Sequence, residues 1–266
     1  MPRRVAIAGL GAIGSKIARA LDAGIPGFAL SAVATRHAGK AEALLSSLTN
    51  RPPMVPIDAL EAYADLVIEC APAPLLPAII APFLSAGKAA IVMSVGGLLE
   101  RDDLIDLARA NGGQIIVPCG ALLGLDAVKA AAQGTIHSVR MITRKPVRGL
   151  ADAPYLSAHK ICIDNIKEPL KIFEGSARQA AQGFPANLNV AAALSLAGIG
   201  PERTTVEIWA DPTLSRNTHR IEVDADSASF SMSIANVPSE NPRTGRIAAL
   251  SVIAYLRQVY APLRIG

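Results

Sequence analysis

The sequence predicts an α/β protein: a doubly wound parallel sheet over the first 120 residues, then a second, α+β domain. Three observations carry that reading. Short apolar runs alternate with helical patterns as far as Pro118, which is the rhythm of βαβ units. A glycine-rich turn joins the first run to the first helical pattern. Beyond Pro118 the hydrophobic period shifts to two, as in a sheet with one wet face.

The expected strands lie at 5–8, 30–34, 66–70, 89–93 and 115–117, brief and apolar enough to be covered on both faces. Between them come helix candidates at 12–23, 40–48, 75–85 and 101–111. Met54-Val55 is a candidate third, edge strand, weakened by the prolines around it. In the second half a helix is expected at 126–133, then alternating stretches at 138–143, 158–164, 205–210, 218–223 and 227–235, read as antiparallel. Helices at 177–182 and 190–197 would cover that sheet. Asn241-Pro242 opens a last helix, with Asn as cap and Pro at the first helical position. Its apolar stripe is Ile247, Leu250, Ile253 and Leu256. The expected division is 1–120 plus 241–266, with 121–240 between.

Composition narrows the classes. Half of the 266 residues are hydrophobic (51%) and mean hydropathy is +0.34, which raises the membrane question. The uncharged run 70–87 holds Pro72, Pro74, Pro77 and Pro82, too many for a spanning helix, so no membrane is expected. The greasiness comes from 48 alanines against ten aromatics, a core of small side chains. A net charge of +4 with no Lys/Arg run longer than two argues against nucleic acid. Cys70, Cys119 and Cys162 lie far apart, which argues against a disulfide framework or a metal site and for the cytoplasm. The N-terminus imitates a signal peptide, but Lys16 and Arg19 intrude and a strand, turn and helix explain the same residues better.

The turn reads Gly9-Leu10-Gly11-Ala12-Ile13-Gly14, the GxGxxG pattern of a Rossmann dinucleotide site. Gly9 allows the tight turn, Gly11 lets backbone approach a pyrophosphate, and Gly14 lets helix pack on strand. Ala12 and Ile13 open the helix, whose free N–H groups face the phosphates. No acid follows the second strand, where one would bind a ribose 2′-hydroxyl; Arg36 stands there instead and suits a 2′-phosphate. The cofactor is therefore NAD or NADP. Loops 70–72 and 94–97 follow later strands and should line the same crevice.

Proton transfer beside a nicotinamide calls for an acid/base group, and histidine is the natural one. His37 falls at the adenosine end, His137 opens a strand, and His159 lies in an ill-defined segment. His219, at a strand start in the second domain, is the leading candidate of the four.

Five blocks beyond residue 118 sharpen the reading: 120–127 (GALLGLDA), 143–146 (TRKP), 173–177 (FEGSA), 184–191 (FPANLNVA) and 241–244 (NPRT). With them the chain resembles the L-aspartate dehydrogenase family. Leu123 departs from that pattern, which has glycine there. The resemblance implies oxidative deamination of L-aspartate to iminoaspartate, hydrolysed to oxaloacetate and ammonia, and a supply role in nicotinamide nucleotide synthesis. It implies that His219 is the acid/base, that Ala121 and Asn189 contact the cofactor with Asn187 the rival position, and that the protein is a homodimer. Two substrate carboxylates require cations, for which Arg144 and Lys145 are the candidates, with Asn187 a further substrate ligand. Ser176 reads as a helix cap. The rival readings are a homoserine-dehydrogenase-like or dihydrodipicolinate-reductase-like enzyme and a cofactor-sensing regulator without catalysis. The regulator is disfavoured because the glycine turn begins at residue 9.

Overall fold

Val5, Ala6, Ile7 and Ala8 are at most 1% exposed, because neighbours cover both faces of β1 (Arg3–Ala8). The computed structural model of the chain describes residues 1–185, 188–239 and 245–265. It forms two compact units, Met1–Gly120 with Ala248–Gly266, and Ala121–Ile247.

In unit one, β1 leads through α1 (Ala12–Asp22) to β2 (Phe28–Ala34), and through α2 (Ala38–Leu45) and α3 (Leu60–Tyr63) to β3 (Leu66–Glu69). Then come α4 (Leu76–Ser85), β4 (Ala89–Val92), α5 (Asp102–Asn111) and β5 (Gln114–Ile116). All pairs are parallel, in the order β2-β1-β3-β4-β5. The order reverses at β1, so the crevice at the carboxyl ends of the strands opens there. The expected edge strand at Met54 reduces to one parallel bridge with Val33. Pro52, Pro53 and Pro56 lack the N–H groups a longer ladder needs.

The last helix, α10 (Ile247–Val259), packs its Ala248, Ala249, Val252, Ile253 and Leu256 into the cluster that holds Val5, Ile7 and Ile17. This corrects the expected stripe, since Ile247 and Leu250 are exposed. Small side chains, Ala248 and Ala249, take buried positions where the i, i+3 stripe had Ile247 and Leu250. The expected Asn241-Pro242 opening lies outside the described residues.

Unit two contains α6 (Leu125–Ala131), β6 (Ile136–Lys145), α7 (Pro154–Ala158), β7 (Leu170–Ser176), α8 (Ala177–Gly183), α9 (Asn189–Ala197), β8 (Thr204–Ala210), β9 (Asn217–Ala225) and β10 (Ser229–Asn236). Its sheet runs β10-β9-β6-β8-β7 and is mixed rather than wholly antiparallel, because β6 and β8 pair in parallel. The expected strand at 158–164 does not form. Pro154 starts a helix there, and Lys160 and Asn165 take left-handed φ of 55° and 59°, which no ladder accommodates. The edge strand is β7 instead. Ser176 caps α8 as expected: its hydroxyl accepts from the Gln179 N–H, and the Gln179 side chain accepts from the Ser176 N–H.

Strand parity sorts the charges of unit two. Val139, Met141, Thr143 and Lys145 of β6 are buried on one face, while Arg140 and Arg144 project from the other. There Arg140 pairs with Glu207 and Glu222.

Candidate active site

Backbone carbonyls dictate two of the three turn glycines. A Cβ on Gly9 (φ 100°) would lie 2.6 Å from the Cys70 carbonyl oxygen, and one on Gly14 only 1.9 Å from the Gly9 oxygen. Gly11 differs: a Cβ there meets nothing within 4 Å. Its side faces a groove of about 330 Å³ lined by Gly9, Gly11, Arg36, Lys40, Cys70 and Ala71, among others. Gly11 also precedes α1, and no side chain caps that helix. Its first N–H groups and dipole, opened by Ala12 and Ile13, are left for an anion. Open space at Gly11 beside these amides fits a dinucleotide pyrophosphate. Arg36 and Lys40 give the end of the groove past β2 two exposed cations, and among the described residues the groove lining holds no carboxylate.

Glu69, the last residue of β3, belongs to no motif of the sequence. It is fully buried. Its Oε1 accepts from the Ala71 N–H at 2.8 Å. Its Oε2 accepts from the N–H groups of Met93 (3.1 Å) and Ser94 (2.9 Å) and from the Ser94 hydroxyl (2.8 Å). Burial pushes its pKa up, while the four donors pull the other way.

In unit two, β9 lies antiparallel to β6 with His219 opposite Thr143. Both are buried on the same face, and the Thr143 hydroxyl lies 3.2 Å from His219 Nδ1. Lys145 is two residues further along that face and 2% exposed. Burial alone lowers its pKa to about 7. Burial first, and the Lys145 charge second, lower His219 to about 3, so the imidazole is neutral at physiological pH.

The remaining expected site residues sort clearly. Arg144 and Lys145, both expected to bind substrate carboxylates, are sequence neighbours on opposite faces of the sheet. Arg144 lies over the Trp209 ring, 5.2 Å from its centroid, with Nη1 3.7 Å from Asp211 Oδ2. The half-buried Ala121 gives its carbonyl to Asn236 Nδ2 at 2.9 Å. Asn189 is the first, half-buried residue of α9, and Asn187 lies outside the described residues. The left-handed positions of loop 120–124 are Gly120 (φ 62°) and Gly124 (φ 70°). Leu123 therefore stands where no glycine is needed. Among the described residues no cluster of His, Cys, Asp or Glu could hold a metal, and no helix is long and apolar enough to cross a membrane.

A parallel sheet that leaves one glycine-sized opening beside free helix amides has the shape of a nicotinamide-dinucleotide site, and it defines the protein as an oxidoreductase of Rossmann type. Comparison with known proteins agrees. Residues 9–118 match the family described as homoserine dehydrogenase, NAD binding domain, and residues 126–259 match aspartate dehydrogenase, C-terminal. An L-aspartate dehydrogenase from Bradyrhizobium diazoefficiens is 65% identical over 99% of this chain and 94% of its own length. One from Methanocella arvoryzae is 42% identical over 99% of both. The solved structure of aspartate dehydrogenase from Thermotoga maritima superposes with a TM-score of 0.74 over 100% of both chains at 21% identity. The chain belongs to the L-aspartate dehydrogenase family.

Proposed function

We propose that this chain oxidises L-aspartate at Cα and releases iminoaspartate, which water converts to oxaloacetate and ammonia. The observation that carries the reading is the buried, neutral His219, held by Thr143 and placed beside Lys145, in a member of this family. When bound, the nicotinamide dinucleotide accepts the hydride. The glycine turn and the α1 amides would hold its pyrophosphate, with Arg36 and Lys40 at the adenosine ribose; Ala121 and Asn189 are its proposed contacts in unit two. A groove lining without an acid supports use of NADP as well as NAD.

The chain's own part is proton and charge management. Hydride leaves only from a neutral amine, so a proton must pass to a base, and the neutral His219 ring accepts one. Its low pKa in the unliganded protein has two causes, and a substrate can relieve the second. A carboxylate bound beside Lys145 offsets that cation and moves His219 upward, towards a working base. Lys145 is thus the proposed carboxylate ligand on this face; Asn187, outside the described residues, keeps its expected role as a further substrate ligand. Once that proton has passed to solvent the ring is neutral again and can deprotonate the water that attacks the imine.

A homodimer, a cytoplasmic setting and a supply role in nicotinamide nucleotide synthesis belong to this reading. The exposed thiols of Cys119 and Cys162, neither in a disulfide, suit a reducing compartment. The test is steady-state reduction of NAD and of NADP across an amino-acid panel. L-Aspartate should give the highest kcat/KM; turnover of homoserine with none of L-aspartate would favour the homoserine-dehydrogenase-like reading instead.

A further inference from the structure

Glu69 divides its two carboxylate oxygens between two loops. Oε1 holds the loop after β3 through the Ala71 N–H, and Oε2 holds the loop after β4 through Met93 and Ser94. The first loop is a wall of the dinucleotide groove, since Cys70, Ala71 and Pro72 all line it. That wall also touches the glycine turn. The Cys70 N–H donates to the Ala8 carbonyl at 2.8 Å, and the Cys70 oxygen occupies the space a Gly9 side chain would need. We propose that Glu69 is a positioning residue for the cofactor, one carboxylate oxygen fixing the groove wall and the other fixing the neighbouring strand end. The proposal rests on the dinucleotide reading of the groove.

A carboxylate is required by counting. Three N–H donors and one O–H converge on two oxygens, and glutamine has a single acceptor oxygen and an NH₂ group. In Glu69→Gln the oxygen goes where three donors converge, on Met93 and Ser94. The NH₂ then faces the Ala71 N–H, donor against donor, and the groove wall is released. Loss of a charge-assisted bond of this kind is expected to raise the NAD(P)H dissociation constant by about tenfold. Ser94→Ala removes one donor from the other oxygen and leaves Ala71 held, so its effect should be no more than about threefold.

The experiment is fluorescence titration of the purified parent, Glu69→Gln and Ser94→Ala with NADH and NADPH, below the melting temperature of each, together with steady-state kinetics. Glu69→Gln should raise the cofactor KM while kcat stays within about twofold, a split that general loosening of the fold does not produce. An unchanged dissociation constant in Glu69→Gln, or equal rises in the two variants, overturns the proposal. Failure of the parent itself to bind either dinucleotide overturns the groove reading instead. Amide hydrogen exchange on the parent tests the same point without any variant: the Ala71 amide should be protected despite its loop position, and free exchange there refutes the assignment.

Discussion

Replacing Lys145 by methionine should remove a specific pH dependence of stability. In the fold Lys145 titrates at about 7, against 10.5 in an exposed chain, because burial disfavours its charge. Between those values the unfolded state holds a proton that the folded state has lost. Stability therefore rises with pH across this window and is lowest below it, where the buried amine is charged. The whole window, from about 7 to 10.5, is worth roughly 5 kcal/mol, of which about 2 kcal/mol falls between about pH 7 and pH 9. That corresponds to a melting-temperature rise of roughly 4–8 °C for a chain of this size. Methionine has similar bulk and cannot titrate, so Lys145→Met should be flat over the same range. Trp209, the one tryptophan, sits on β8 opposite Arg144 and reports unfolding of unit two by fluorescence. His219 does not confuse the window: its pKa falls from 6.5 to about 3, so its linkage acts only as pH drops through that lower range, where stability is lost. Parallel profiles for parent and variant between about pH 7 and pH 9 would refute the buried-amine argument.

His219→Ala should lower turnover of L-aspartate by at least about a hundredfold while NADH still binds; unchanged turnover removes His219 from its role. Gly11→Ala should leave the melting temperature within about 2 °C of the parent but weaken dinucleotide binding, since its Cβ meets only open groove. Gly14→Ala, at 1.9 Å from the Gly9 oxygen, should cost about 2 kcal/mol or more of stability, read by urea unfolding. Arg36→Ala should raise the KM for NADP by about tenfold and leave that for NAD within about twofold, and equal changes for both would place Arg36 away from a 2′-phosphate.

Much of the fold was legible because its signals are local. Apolar runs of four or five residues between helical patterns can bury only in a parallel sheet, and the glycine turn marked where the first helix begins. The errors fall where a local signal competes with a distant one. Residues 158–164 alternate like a strand, yet Pro154 starts a helix and the chain turns left-handed at Lys160. The strand that fills the sheet edge, β7, carries Phe173 on the buried face and ends in the capping box of α8. Its identity depended on partners 29 to 40 residues away in β8, which no short window of sequence contains.

The site shows the same division more sharply. His219 was within reach as a candidate because histidine chemistry left four residues and the family resemblance favoured one, but the groups that condition it were not. Thr143 and Lys145 reach it only through the β6–β9 register, in which Thr143 faces His219. That register also separates the two candidate cations: a period of two sends Arg144 to the far face, onto Trp209, and leaves Lys145 on the face of His219. A Thr-Arg-Lys-Pro run therefore offers two cations without stating which shares a face with His219, and strand pairing supplies that. Glu69 is the limiting case. A glutamate among Leu66, Val67 and Ile68 looks like a strand end meeting water, and its fourfold engagement by two loops exists only once β3 and β4 lie side by side. Candidates for the chemistry were readable from residue type, whereas the neighbours that surround them became readable only from the sheet.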